Sequence, residues 1–210
     1  NLPKGVVNFV NGTGVVVGAE MTRHPDIQKI TFTGSTQAGK AVARGAVDSM
    51  KRVTLELGGK SPNLILDDAD FNTAIPQAIF AAYINSGQAC VAATRLLVPE
   101  HRLSEVNELA RATIDSAVKV GMPTDTDTTI GPMVTQKQFE RVQEYIRIGI
   151  EEGATLLTGG MGKPAGFEAG NFVKATVFTN VKNSMRIAQE EIFGPVLSII
   201  PYKDEAEAIA

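Results

Sequence analysis

Apolar residues recur at two spacings in this chain, and the two alternate along its length. Lys29-Ile30-Thr31-Phe32-Thr33 alternates polar and apolar side chains, the period of a half-buried strand, and runs into Gly34-Ser35. A helix is predicted from there, with Ser35 or Thr36 as N-cap and the small residues Ala38, Ala41 and Gly45 along one face. Val6 to Val10 reads as an earlier short strand. Arg52 to Leu57 reads as a later one, ending at Gly58-Gly59. Strand, helix, strand in this order predicts parallel pairing.

The rhythm continues. Asn63-Leu64-Ile65-Leu66 is a predicted buried strand. Asp70 is placed to cap a helix whose Ala74, Ile75, Ala78, Ile79, Ala82 and Tyr83 recur at helical spacing. Arg95 to Val98 follows as a strand. Leu103, Val106, Leu109, Ala110, Ile114 and Ala117 form one apolar stripe, stopped near Gly121. Thr135-x-x-Gln138 matches a capping box ahead of Phe139, Val142 and Ile146, and Gly153 ends that helix. Gly159 to Gly170 predicts a surface connection. Late strands are predicted at Phe172 to Phe178 and Val196 to Pro201, and a helix from Asp204 to Ala210. The fold class is therefore α/β, built on a parallel sheet.

Composition narrows the function. Of 210 residues, 43% are hydrophobic and 20% charged, which describes a globular chain with a sizeable core. A net charge of −3 leaves no electrostatic footprint for nucleic acid. No apolar run reaches the roughly 18 residues of a membrane span. The single cysteine rules out an internal disulfide and fits a reducing, cytoplasmic compartment. Asn1-Leu2-Pro3-Lys4-Gly5 has neither a start methionine nor a signal-peptide pattern, and the last helix is cut at Ala210. Both ends read as the interior of a longer protein.

That cysteine, Cys90, lies in Asn85-Ser86-Gly87-Gln88-Ala89-Cys90, a polar loop between a predicted helix and a predicted strand. Such loops, held by a rigid scaffold, are where reactive groups sit. Backbone N–H groups around it are placed to hold an oxyanion. Glu56 alternates away from Leu55 and Leu57 at the C-terminal end of a strand, where open parallel sheets bind ligands. A thiol attacks an aldehyde or acyl carbon, and a carboxylate then activates water. With only His24 and His101 in the chain, a glutamate base is the simpler partner.

Gly34 to Gly39 follows a strand and opens a helix, the setting in which free N–H groups bind phosphate. Gly34 to Lys40 also fits most of a P-loop, but Ala41 stands where a magnesium-binding hydroxyl is needed. Gly12-x-Gly14-x-x-x-Gly18 misses the dinucleotide fingerprint by one residue and reads as a turn. Asp67-Asp68-x-Asp70 reads as helix capping, and neither histidine has metal-ligand neighbours. In Glu190-Glu191-Ile192-Phe193-Gly194-Pro195, a carboxylate can accept both hydroxyls of a ribose, and a phenyl ring can pack beside a flat heterocycle.

Phe32-Thr33-Gly34-Ser35-Thr36-x-x-Gly39, Leu55-Glu56-Leu57-Gly58-Gly59-Lys60-Ser61-Pro62, Gly87-Gln88-x-Cys90 and Glu191-Ile192-Phe193-Gly194-Pro195 stand in one order. In that order the sequence resembles the aldehyde dehydrogenase superfamily along essentially its whole length. The resemblance implies an NAD- or NADP-dependent oxidation of a small-molecule aldehyde to a carboxylic acid. Cys90 matches the nucleophile, which passes through a thiohemiacetal and a thioester, and Glu56 matches the general base. Ser35 matches the residue at the cofactor pyrophosphate, with Gly34 and Gly39 shaping the helix entry. Leu57 matches the backbone position near the nicotinamide, Glu191 the ligand of its ribose, and Phe193 the residue packing near its ring. Glu56 further implies hydrolysis of the thioester rather than transfer to coenzyme A.

The resemblance also implies an internal fragment. Residues 1–58 correspond to the end of a dinucleotide-binding domain and 59–210 to most of a catalytic domain. The lysine at the adenosine ribose and the asparagine of the oxyanion hole belong upstream, and the oligomerisation strand of a homodimer or homotetramer belongs downstream. Beside the dehydrogenase reading stand a non-catalytic remnant that binds nucleotide weakly and a P-loop-type nucleotide-binding protein. Tyr83 and Val91, flanking the cysteine loop, predict a pocket without charge.

Overall fold

The computed structural model describes residues 2–209, which fall into two compact units, Asn1–Gly58 and Gly59–Ala210. In the first, β1 (Lys29–Thr33) and β2 (Arg52–Glu56) pair in parallel, joined by α2 (Thr36–Val47). Both strands are half-buried with the same alternation, as their sequences predict. The Gly12–Gly18 segment is not a plain turn. Gly14–Gly18 winds as a π-helical turn that continues into α1 (Ala19–Arg23). The Val6–Val10 strand is not formed, and Val6, Val7, Phe9 and Val10 are exposed. A strand needs a neighbour for its N–H and C=O groups, and among the described residues nothing pairs with this one.

The second unit holds a five-stranded sheet ordered β3 (Pro62–Leu64), β4 (Arg95–Pro99), β7 (Val196–Tyr202), β6 (Thr176–Thr179), β5 (Thr155–Thr158). Every pairing is parallel except β5 with β6. Leu96, Val98, Leu197, Ile199 and Val177 face one core with α3 (Phe71–Tyr83) and α4 (Leu103–Ala117). Leu97, Val196, Ile200 and Phe178 face the other with α5 (Gln136–Glu151) and α6 (Arg186–Gln189). Covering both faces is why β4 and β7 are apolar along most of their length; β7 admits one polar residue, Ser198, whose buried hydroxyl donates to Ile187 O.

The predicted caps are made: Asp70 accepts from Asn72 N–H, and Thr135 from Gln138 N–H. Gly153 ends α5 at φ +87°. β3 is an edge strand with Leu64 part-exposed, not a buried one; only Ile65 beyond it enters the core. The late strand begins at Thr176 rather than Phe172. The last helix is α7 (Glu205–Ile209), and the predicted terminal Ala210 lies outside the described residues, as does Asn1.

Candidate active site

In the first unit the candidate residues gather at the C-terminal ends of β1 and β2. Gly34 N–H donates to Glu56 O at 3.1 Å, tying the turn after β1 to the last residue of β2. Ser35 caps α2, its Oγ accepting from Ala38 N–H at 3.2 Å. The other leading N–H groups of a helix have no intrahelical acceptor, and this first turn carries no acidic side chain. Both features suit an anion such as a pyrophosphate. Gly39 is buried, and a Cβ there would sit 2.5 Å from Leu57 Cδ2, so the glycine lets α2 lie close on the Leu57 side chain, which would have to shift for any larger residue. Glu56 is exposed at the strand end. The first unit therefore offers an uncharged helix entry with a hydroxyl, a setting that suits an anion, and an exposed carboxylate at the neighbouring strand end.

In the second unit, the chain leaves α3 through three successive left-handed residues, Asn85 (φ +49°), Ser86 (φ +60°) and Gly87 (φ +72°). For Asn85 and Ser86 this backbone costs on the order of 1–3 kcal/mol each. Side-chain bonds offset the cost. Asn85 Nδ2 donates to Gln88 O (3.0 Å), Ser86 Oγ accepts from Gly131 N–H (2.9 Å), and Gln88 Oε1 accepts from Val134 N–H (2.9 Å). The polar residues of the cysteine loop are thus its anchors. Cys90 follows in an exposed turn, and among the described residues its amide N–H meets no acceptor.

A Cβ on Gly87 would lie 2.2 Å from Gly194 O, so the cysteine loop rests backbone to backbone on the turn that holds Glu191 and Phe193. The contact is made by Gly87, three residues before Cys90, on Gly194, the residue after Phe193. Glu191 is half-buried, and its Oε1 accepts a long bond from Gly59 N–H (3.4 Å), which leaves the second carboxylate oxygen free for a ligand hydroxyl. A cleft of about 230 Å³ beside the loop is lined by Phe80, Tyr83, Ile84, Asn85, Val118 and Thr129. Tyr83 contributes little to it. The side chain is buried, and its hydroxyl is committed to Thr176 O at 2.9 Å. Phe80, Ile84 and Val91 are the exposed apolar groups here.

The burial of Lys60 is a feature the sequence did not signal. Its Nζ is buried and, among the described residues, has no hydrogen-bond partner. Burial, reinforced by the Arg95 guanidinium and opposed by Glu191, lowers its pKa to about 8. The unfolded chain keeps its proton up to the usual 10.5, so it binds more protons than the fold between about 8 and 10.5, and stability contributed here rises across that window. Lys60→Met removes the buried charge and keeps most of the stem. It should raise the unfolding free energy by roughly 2–3 kcal/mol at pH 7, with the gain shrinking by pH 10, as urea titrations at the two pH values would show.

Residues 1–210 match the model of the aldehyde dehydrogenase family. The chain belongs to this family. It is 50% identical over 208 residues to 3-succinoylsemialdehyde-pyridine dehydrogenase of a Pseudomonas species, covering 99% of this chain and 43% of that protein. Among solved structures, a cysteine-to-alanine mutant of aldehyde dehydrogenase C from Pseudomonas syringae, in complex with NAD⁺ and octanal, superposes with a TM-score of 0.97 at 51% identity. The match covers all of this chain and 43% of that one. The Mycobacterium tuberculosis aldehyde dehydrogenase, complexed with NAD⁺, gives 0.86 at 49% identity over 90% of this chain and 38% of its own. This aldehyde dehydrogenase chain thus spans under half the length of the relatives it matches. Among its described residues, no helix is long and apolar enough to cross a membrane.

Proposed function

We propose that the protein carrying this chain oxidises an aldehyde to a carboxylic acid with NAD(P)⁺, and that Cys90 and Glu56 perform the covalent chemistry. The observation that carries this reading is the exposed lone cysteine on an anchored loop, seated on the Glu191–Phe193 turn, in a member of this family. The first unit serves as the end of the dinucleotide-binding domain and the second as most of the catalytic domain.

The Cys90 thiolate adds to the aldehyde carbon, and the free Cys90 N–H is available to the oxyanion that forms. The cofactor, when bound, supplies the hydride acceptor. Loss of a hydride from the adduct carbon to that acceptor would leave an acyl group on Cys90 as a thioester. Glu56 takes a proton from water, the hydroxide attacks the thioester carbonyl, and the acid departs as the thiol is regenerated. Ser35 and the first turn of α2 would hold the pyrophosphate, with Gly34 and Gly39 allowing the approach. Glu191 would hold the nicotinamide ribose, Phe193 would pack beside the nicotinamide ring, and the Leu57 backbone would approach that ring. NAD⁺ is favoured because similar structures were solved with it.

The exposed apolar groups Phe80, Ile84 and Val91 favour an uncharged aldehyde chain over an ionic one. The full-length protein, given NAD⁺ and an aliphatic aldehyde, should form NADH, with kcat/KM at least about tenfold above that for an aldehyde of similar length ending in a carboxylate. No NADH from any aldehyde would end the reading.

A further inference from the structure

The first turns of α5 spend two side chains on one loop rather than on their own helix. Thr135-x-x-Gln138 has the form of a capping box, in which the glutamine amide would turn back to the cap. Thr135 does its half, yet Gln138 Nε2 points elsewhere. It donates to Ile192 O at 3.0 Å and to Phe193 O at 2.7 Å. One turn along, Arg141 Nη2 donates to Glu191 O at 2.5 Å. Three consecutive carbonyls are therefore held by two side chains.

The segment they hold is strained. Phe193 is left-handed at φ +62°, a conformation costing a non-glycine residue on the order of 1–3 kcal/mol. Gly194 completes the seat, since a Cβ there would lie 2.4 Å from Val142 Cγ2 on the same helix. Gln138, Arg141 and Val142 form one face of α5 against the turn. Farther along that helix, Tyr145 OH donates to Glu190 Oε2 at 2.5 Å, and Arg186 pairs with the same carboxylate.

We propose that Gln138 and Arg141 are positioning residues that keep the Glu191–Phe193 turn in its left-handed form before a dinucleotide binds. The proposal rests on the cofactor roles given to Glu191 and Phe193 above. Both residues act through backbone carbonyls, so they set where the carboxylate and the ring stand without supplying chemistry. Freed of them, the turn relaxes toward ordinary backbone. The apparent dissociation constant for the dinucleotide then rises as the fraction of competent turn falls.

The test is NAD⁺ titration calorimetry on the full-length protein, beside thermal unfolding and steady-state kinetics. Gln138→Glu keeps the shape but removes both N–H donors and sets a carboxylate against two carbonyl oxygens. It should weaken NAD⁺ binding about tenfold. Arg141→Met should act in the same direction, and Arg141→Lys, which keeps a donor, should restore most of the affinity. KM for the aldehyde at saturating NAD⁺ should stay within about twofold in each. Should Gln138→Glu fail to fold, Gln138→Ala is read by the same criteria. Folded variants with unchanged NAD⁺ affinity would overturn the proposal, and so would equal losses toward NAD⁺ and aldehyde. Wild-type protein that binds no NAD⁺ would instead refute the cofactor assignment beneath it.

Discussion

Cys90→Ala in the full-length protein should lower aldehyde oxidation by roughly 10⁴–10⁶, the scale seen when a covalent nucleophile is deleted. The loss should fall on kcat. Cys90 is exposed in its turn, and the anchors of its loop are the side chains of Asn85, Ser86 and Gln88 together with the close seat of Gly87 on Gly194. Trimming the thiol disturbs none of these, so the melting temperature and the NAD⁺ dissociation constant should hold near wild-type values. Near-normal turnover in the variant would refute the nucleophile. A lost activity accompanied by a collapsed melting temperature would show a packing role instead.

Glu56→Gln should separate the two halves of the reaction. The glutamine keeps the size of the side chain, and the backbone bond from Gly34 N–H to Glu56 O is untouched. What is lost is the proton acceptor. General-base assistance is worth about 10²–10⁴, so thioester hydrolysis should slow by that factor while acylation proceeds. Rapid mixing with aldehyde and NAD⁺ should then give a burst of NADH of about one equivalent per site, followed by a slow steady state. Steady-state turnover equal to wild type would remove Glu56 from the chemistry.

The sequence disclosed most of this fold where one element's own periodicity decides the matter. The stripes of α3, α4 and α5 stand at helical spacing, and the two-sided burial of β4 and β7 shows as largely apolar runs, broken in β7 only by Ser198. It misled where the outcome depends on a neighbour. Val6–Val10 has strand composition, but no strand lies beside it among the described residues. Asn63–Leu66 reads as a buried strand, yet the strand that forms, Pro62–Leu64, stands at a sheet edge.

The candidate site divides the same way. Cys90, Glu56, Ser35 and Glu191 were legible because each needs a particular functional group in a motif. Their supports were not. Ser86 to Gly131, Gln88 to Val134 and Gln138 to Phe193 are contacts across 45, 46 and 55 residues, and no local pattern encodes a partner that distant. Gln138 even stood in a motif that announced a different use for its amide. Lys60 was visible as a letter beside two glycines, but its burial without a partner is a property of packing.

In the proposed reaction one acyl group passes from Cys90 to water activated by Glu56. Acid quenching of the full-length Glu56→Gln protein during its burst, followed by peptide mass mapping, tests this directly. The peptide containing Cys90 should carry the acyl mass of the supplied aldehyde, bound in a hydroxylamine-labile thioester. NADH released with that peptide unmodified, or with the acyl group on another residue, would contradict it.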